Sequence, residues 1–228
     1  DDIEQQIQSV KPNLIWVETP SNPLLRVTDI KKLAGQSKLL GAKLVVDNTF
    51  LSPLGQSPLK LGADIVVHSS TKYLNGHSDV VSGAVVCANE DDHEQLVWWA
   101  NNTGVTGSPF DSYLILRGIR TLGLRIKQHS LNAQAIAEIL DAHDLIKKVN
   151  FPGLEDHPDY DLAREQHQYH AGMLSFELNG DLEKVQVFLR SLKLFTLAES
   201  LGGTESLVCH PSTMTHAAMD AAAQKAAG

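Results

Sequence analysis

The stretches K-L-V-V-D (43–47) and D-I-V-V-H-S-S-T-K (64–72) decide how this chain folds. Each carries a continuous apolar run that does not alternate with polar residues, the pattern of a strand covered on both faces. Each run also ends on residues able to do chemistry, Asp47 in the first and the Ser69 to Lys72 segment in the second. Working outward, Leu14 to Val17 is a third such run, and Val80 to Ala88 a fourth with Gly83 inside it. Between Leu14 to Val17 and Lys43 to Asp47 lies Thr28 to Gly41, with Ile30, Leu33, Ala34 and Leu40 near helical spacing and Gly41 as the stop. Strands joined by helical segments and short connections predict an α/β fold with a mainly parallel sheet. Such sheets bind ligands just beyond the carboxyl ends of their strands, which is where Asp47 and Lys72 fall.

From Glu90 onward the reading is mostly helical. Tyr113 to Ile126 and Leu131 to Leu140 carry apolar residues on helical spacing. A Pro/Gly/acid-rich loop around Phe151 to Asp161 follows, then an alternating strand over Gly172 to Leu178 and a helix over Asp181 to Leu192. The change of pattern predicts a large domain over 1–127 and a smaller α+β domain over 128–228.

Composition narrows the function. The 228 residues carry 43% hydrophobic and 20% charged side chains, ordinary globular values that exclude intrinsic disorder. Nineteen bases against 27 acids give a net charge of −8 with no basic cluster, which argues against nucleic acid and anionic membranes as partners. No apolar run is long enough for a bilayer, and Asp1 to Gln5 has neither the basic nor the apolar region of a signal peptide. Cys87 and Cys209 are too few for a disulfide framework. A reduced, cytoplasmic protein is expected. An amphipathic helix at residues 1 to 11 and an Ala-rich stretch from Ala217 to Gly228 make both ends look like cuts inside a longer protein.

Lys72 follows a buried strand and three hydroxyl residues, Ser69, Ser70 and Thr71. A lysine that loses solvation has its pKa lowered, and its neutral amine attacks carbonyl carbons. Hydroxyls and turn N–H groups cradle phosphate. The combination fits an aldehyde cofactor with a phosphate, pyridoxal 5′-phosphate, although on spacing alone a surface lysine beside a Ser-rich turn is commoner. Asp47 shifts the balance, because pyridoxal chemistry needs an acid opposite the ring nitrogen. A strand-end Asp is by itself more often a turn former; with Lys72 on the next strand the pair says more than either residue.

The stretch 64–78, D-I-V-V-H-S-S-T-K-Y-L-N-G-H-S, resembles the lysine signature of the Cys/Met-metabolism pyridoxal-phosphate enzymes, the trans-sulfuration family. E-T-P-S-N-P (18–23), V-V-D-N-T-F (45–50) and L-A-E-S-L-G-G (197–203) extend the likeness over essentially the whole chain. W-W-A-N-N-T-G-V-T-G (98–107) and F-D-S-Y-L-I-L-R-G-I-R-T-L (110–122) resemble the bacterial members that catalyse γ-replacement. The resemblance implies the type I fold of pyridoxal-phosphate enzymes, aspartate aminotransferase-like, with a parallel-sheet large domain and a small C-terminal domain. It further implies that Lys72 forms the Schiff base with the cofactor and moves protons, that Asp47 pairs with the ring nitrogen, and that Ser69 and Thr71 hold the phosphate. Asn22 would lie by the phenolic oxygen and Thr49 by the ring. Ser200 would bind the substrate carboxylate and touch Lys72, and Glu199 would lie near the distal end of the substrate. Read without the resemblance, Asn22 is a turn residue and Ser200 a loop former.

The implied reaction joins O-succinyl-L-homoserine and L-cysteine into L-cystathionine and succinate, with small amino acids as partners and a homotetramer as the assembly. A lyase of the same family, eliminating instead of replacing, is the alternative, and a folded but inactive piece is the second. Family members also carry an earlier segment with a glycine-rich phosphate turn, a ring-stacking tyrosine and a Tyr/Arg pair, and a C-terminal arginine beyond Gly228. Without them, weak cofactor binding and little turnover are expected of these 228 residues alone. No metal site is expected: His167 and His170 are three apart on a helical register but lack companion ligands, so they read as a solvated helix face. His77 reads as support for the loop after Lys72, and Trp98 and Trp99 as packing or subunit contact.

Overall fold

The computed structural model describes residues 2–220 and 222–224. Helix α1 (Asp2–Val10) leads into strand β1 (Leu14–Glu18), helix α2 (Ile30–Leu40) and strand β2 (Lys43–Asp47). Two single-turn helices, α3 (Ser52–Gly55) and α4 (Pro58–Leu61), precede β3 (Ile65–Ser69) and β4 (Gly83–Cys87). These four strands form one sheet in the order β1-β2-β3-β4. The first three are parallel and β4 runs antiparallel to β3.

Local chemistry sets these limits. Asp29 caps α2 by accepting from the Lys32 N–H at 2.9 Å, and Gly41 ends it in the left-handed conformation at φ 67°. The face of α2 that carries Ile30, Leu33 and Ala34 packs with Ile7 onto Leu44, Val46 and Val66 of the sheet. The other sheet face is less covered, leaving Leu14, Trp16 and Val85 about half exposed or more. Between β2 and β3 the chain is pinned by a buried amide pair. Asn48 Nδ2 donates to the carbonyls of Ser52 and Gln56, and Gln56 Nε2 donates to Asn48 Oδ1 at 3.0 Å. These bonds tie the two buried amides to the backbone on either side and favour one course for it, although Gln56 Oε1 itself accepts none among the described residues.

Helix α5 (Glu90–Thr103) starts with Asn89 as its cap and three acids in its first turn, which suit the positive end of the helix. The helical pattern beyond it is partitioned differently from the sequence expectation. Instead of Tyr113 to Ile126 and Leu131 to Leu140, the helices are α6 (Pro109–Ile119) and α7 (Leu122–Asp141). The break falls at Thr121 because the Gly118 carbonyl, which would continue the helix, is taken by the Thr121 N–H and hydroxyl and by Arg125.

Helix α7 runs through residue 127 without interruption. Its first half places Leu122 and Ile126 in a cluster with Leu51, Tyr73 and Leu74. Its second half places Ala133 and Ala137 against Val149, Phe151 and Leu154. Strand β5 (Ile146–Asn150), which its two lysines hid from a hydrophobicity reading, follows; α8 (Tyr160–Gln166) then leads to β6 (Ser175–Leu178). The two strands pair antiparallel as a small sheet. Helix α9 (Leu182–Ser191), capped by Asp181, precedes two-residue strands β7 (Thr196–Leu197) and β8 (Leu207–Val208), which pair in parallel. Of the Ala-rich tail, residues 221 and 225–228 lie outside the described residues.

Candidate active site

Parallel pairing brings the ends of β2 and β3 side by side, with Asp47 in register with Val67. Two bonds then join them. The Thr49 N–H donates to Asp47 Oδ1 at 2.9 Å, and the Ser69 N–H donates to Thr49 Oγ1 at 2.8 Å. Thr49 is therefore the bridge between the acid and the lysine turn. The second oxygen of Asp47 accepts no hydrogen bond among the described residues, which leaves it available. On the far side, Glu18 ends β1 in register with Asp47. Loss of hydration there, and then the Asp47 carboxylate, push Glu18 above the usual carboxylate range. His68 is buried, which lowers its pKa against the opposing pull of Asp47.

Lys72 sits on the turn beyond β3. Its N–H donates to the Ser69 carbonyl at 3.2 Å, and its carbonyl accepts from Gly76 at 2.8 Å. Its Nζ donates to Ser200 Oγ at 3.1 Å. Ser200 belongs to the loop between β7 and β8, and its φ of 147° is one that L residues rarely adopt. Gly202 lets that loop lie on the lysine turn: at φ 79°, a Cβ on it would stand 2.6 Å from the Tyr73 nitrogen. Only glycine fits there.

The other sequence candidates fall as follows. The Ser69 hydroxyl is half-buried and unpartnered among the described residues. Thr71 Oγ1 is used in the turn, accepting from the Ser82 N–H at 3.1 Å and donating to its carbonyl at 3.3 Å. The longer of these is the one a phosphate oxygen would replace by turning the hydroxyl. Asn22 is exposed on the loop after β1, between the cis Thr19–Pro20 and Asn22–Pro23 peptides. Glu199 is exposed beside Cys209, whose thiol is pushed up by burial and by that carboxylate. His77 Nδ1 lies 2.7 Å from the Asn75 carbonyl, within the loop after Lys72 as the sequence suggested. Trp98 and Trp99 form an edge-to-face pair at 4.9 Å and stay 57% exposed.

The histidine pair needs a correction. α8 ends at Gln166, so His167 and His170 lie beyond the helix and are not on a solvated face. Gln168 donates to the Gly55 carbonyl at 2.7 Å and Gln56 bridges to His167, which press this segment onto α3. His167 Nδ1 is 3.3 Å from His170 Nδ1, and burial, then His170 and His157, lower the pKa of His167 to about 3. Among the described residues, no group of three or more His, Cys, Asp or Glu side chains is arranged to hold a metal.

Sequence reasoning missed three supports of the lysine turn. Arg125 donates to the Tyr73 carbonyl at 2.8 Å, to the Gly118 carbonyl at 2.8 Å and to Thr121 Oγ1 at 3.0 Å. Tyr73 OH accepts from the Gly172 N–H at 2.9 Å. Ser78 Oγ donates to Glu205 Oε2 at 2.8 Å. Tyr73, Ser78 and Glu205 stand in or next to the quoted motifs; for Arg125, one arginine on a long helix, the sequence carries no signal.

A half-buried acid and a lysine, each at the end of one of two neighbouring parallel strands, with hydroxyls on the turn between them, define a type I pyridoxal-phosphate enzyme fold. The donor set fits that cofactor: an amine, a carboxylate oxygen without a partner, and hydroxyls at a turn. The chain belongs to the family described as Cys/Met metabolism PLP-dependent enzyme, whose model matches residues 1–228. It is 56% identical over 218 residues to cystathionine gamma-synthase of Escherichia coli strain K12, covering 96% of this chain and 56% of that protein. It is 48% identical over 211 residues to cystathionine gamma-lyase of Dictyostelium discoideum, covering 92% of this chain and 54% of that protein. Crystallised cystathionine gamma synthase from Xanthomonas oryzae pv. oryzae, in complex with aminoacrylate and cysteine, superposes with a TM-score of 0.96. The identity there is 56%, over 98% of this chain and 58% of that one. The chain thus spans little more than half the length of these relatives.

Proposed function

We propose that the protein containing these residues catalyses γ-replacement, converting O-succinyl-L-homoserine and L-cysteine into L-cystathionine and succinate. The observation that carries this reading is the 56% identity to a cystathionine gamma-synthase over 96% of the chain, above the 48% to a gamma-lyase. The lyase relatives share the fold, so elimination is the second reading.

When bound, pyridoxal phosphate supplies an electron sink that tolerates negative charge on the substrate carbons. The chain's own residues do the rest. Lys72 carries the cofactor and afterwards takes the substrate's Cα proton with its freed amine, so its position relative to that carbon sets the rate. Asp47 offers its unpartnered oxygen to the ring nitrogen and keeps a proton there. Thr49 holds that carboxylate by one oxygen and lies beside the ring. Ser69 and Thr71 hold the phosphate, and Asn22 the phenolic oxygen. Ser200 orients the Lys72 amine and contributes to the substrate carboxylate, and Glu199 faces the distal end of the substrate. In the net reaction the Cγ–O bond breaks, succinate leaves, and the cysteine sulfur forms the Cγ–S bond.

We also infer a homotetramer. Helices α5 and α6 leave Trp98, Trp99, Phe110, Tyr113 and Leu116 more than half exposed, an apolar face that supports a subunit contact. A cytoplasmic location accords with two unpaired cysteines and with the absence, among the described residues, of a helix long and apolar enough to cross a membrane.

The deciding experiment loads the full-length protein with pyridoxal phosphate and supplies O-succinyl-L-homoserine with and without cysteine. Cystathionine and succinate in equal amounts, dependent on cysteine, is the expected result. Release of 2-oxobutanoate from supplied cystathionine as the faster reaction would replace this reading with the lyase one.

A further inference from the structure

The loop between β7 and β8 is anchored weakly at its base, where the strands pair through only Thr196 with Leu207 and Leu197 with Val208. Beyond that base it meets the lysine turn at both ends. Ser200 accepts from Lys72 Nζ at 3.1 Å, and Glu205 accepts from Ser78 at 2.8 Å. Between these contacts Gly202 lies against the Lys72–Tyr73 peptide, and Gly203 lies so close to Ser78 Oγ and Glu205 Oε2 that a side chain would strike both. Ser78 closes the turn that Lys72 opens and is itself held at φ 56°. The Glu205 carboxylate takes the Ser78 hydroxyl, its own N–H and that of Thr204, and faces His77, a set of contacts that favours its anion.

Ser200 therefore keeps an unfavoured backbone conformation opposite Lys72 because the loop is held on either side of it. We infer that the Ser78–Glu205 hydrogen bond is a latch that sets the register of Ser200 on Lys72, which makes Ser78 and Glu205 positioning residues for the lysine. This rests on the reading of Lys72 as the cofactor lysine. A hydroxyl-to-carboxylate bond suits the task, being charge-assisted and directional enough to fix a loop. Without it the far side of the loop is released, and Ser200 is steadied only from its own side, by the strand base, the Lys72 contact and the packing of Leu201 and Gly202 on the lysine turn.

The test uses the full-length, cofactor-loaded protein with Ser78→Ala, Glu205→Gln and the double variant Ser78→Ala/Glu205→Gln. Both kcat and KM are measured for whichever of the two reactions the protein performs, and attachment of the cofactor to Lys72 is followed by borohydride fixation. Ser78→Ala and Glu205→Gln should each lower kcat by roughly tenfold with a smaller change in KM, as a misplaced catalytic group does. Borohydride should still fix the cofactor to Lys72 in both, which separates a misplaced lysine from a lost cofactor. The double variant should be no worse than either single one, since both remove the same bond.

An unchanged kcat in the single variants, or losses that add in the double variant, would overturn the latch. Lys72→Ala separates this from failure of the underlying reading. If borohydride fixes the cofactor equally well to wild type and Lys72→Ala, Lys72 is not the cofactor lysine and the latch falls with it. If fixation needs Lys72 while the latch variants behave as wild type, only the latch is wrong.

Discussion

Tyr73 OH accepts the Gly172 N–H at 2.9 Å, while the carbonyl of the same tyrosine accepts Arg125 Nη1 at 2.8 Å. The residue after Lys72 is thus the junction of the lysine turn, helix α7 and the segment that leads into β6. It is 2% exposed and packs with Leu51, Leu122 and Ile126. Burial holds its phenol protonated well above the usual range. The lysine turn is stiff because its neighbour is a buried hinge pin.

Replacing Tyr73 by Phe keeps the ring but strands the Gly172 N–H in a dry place. A loss of about 1–3 kcal/mol is expected, the usual penalty for an orphaned buried donor. Urea denaturation of the full-length protein should show a lower midpoint with an unchanged slope; an unchanged midpoint would mean water replaces the hydroxyl.

Thr49→Ala removes the acceptor for the Ser69 N–H at the base of the phosphate turn. Thr49→Ser retains it. Cofactor affinity, followed by fluorescence titration with pyridoxal phosphate, should fall roughly tenfold in the alanine variant and recover in the serine one, in line with one backbone hydrogen bond. Equal affinities in both would show that the hydroxyl does not order the turn.

Asp47→Asn preserves the shape at the end of β2 and removes the negative charge. The cofactor should still attach to Lys72, but turnover should drop by roughly a hundredfold or more, as when one preorganised electrostatic partner is lost. Steady-state kinetics paired with the borohydride assay checks this; full turnover would assign the ring nitrogen another partner.

Acid should loosen the seam where residues 167–171 meet α3. His167 has its folded-state pKa lowered from 6.5 to about 3, and burial likewise lowers His157 and His170. The unfolded chain therefore binds more protons, so stability is full above about pH 6.5 and falls as pH drops below it. For His167 alone the loss at pH 5 is on the order of 2 kcal/mol. Asp156 and Asp159 oppose the effect at His157, and Lys148 adds to it. His167→Gln should flatten the acid limb of stability between pH 6.5 and 3 in thermal melts across pH. A parallel acid limb in that variant would place the sensitivity elsewhere.

The large sheet was legible because Leu14 to Val17, Lys43 to Asp47 and Ile65 to Ser69 are unbroken apolar runs with polar ends. Such runs state both that a strand is buried and where it stops. The placement of Asp47 at the end of β2 and of the Lys72 turn just beyond β3 was legible for the same reason. Strand β5 was not, because Lys147 and Lys148 interrupt it and its partner β6 lies beyond a long loop. The end of α6 was hidden because Thr121 and Arg125 compete for a carbonyl that a helical pattern assigns to the backbone.

What the sequence determines by itself is local and periodic: which runs are strands, where helices are capped, and which residues stand at the sheet's carboxyl edge. Tertiary structure alone decides what meets there. Ser200 reaches Lys72 from 128 residues away, and Gly172 reaches Tyr73 from 99. Those pairings depend on how a whole loop and a long helix pack, and no spacing along the chain encodes them. The His167 pair makes the same point in reverse, since a register that suits a solvated helix face is overruled when Gln56 and Gln168 dock the segment against α3. Periodicity reports which side chains share a face, while burial is settled by what that face packs against.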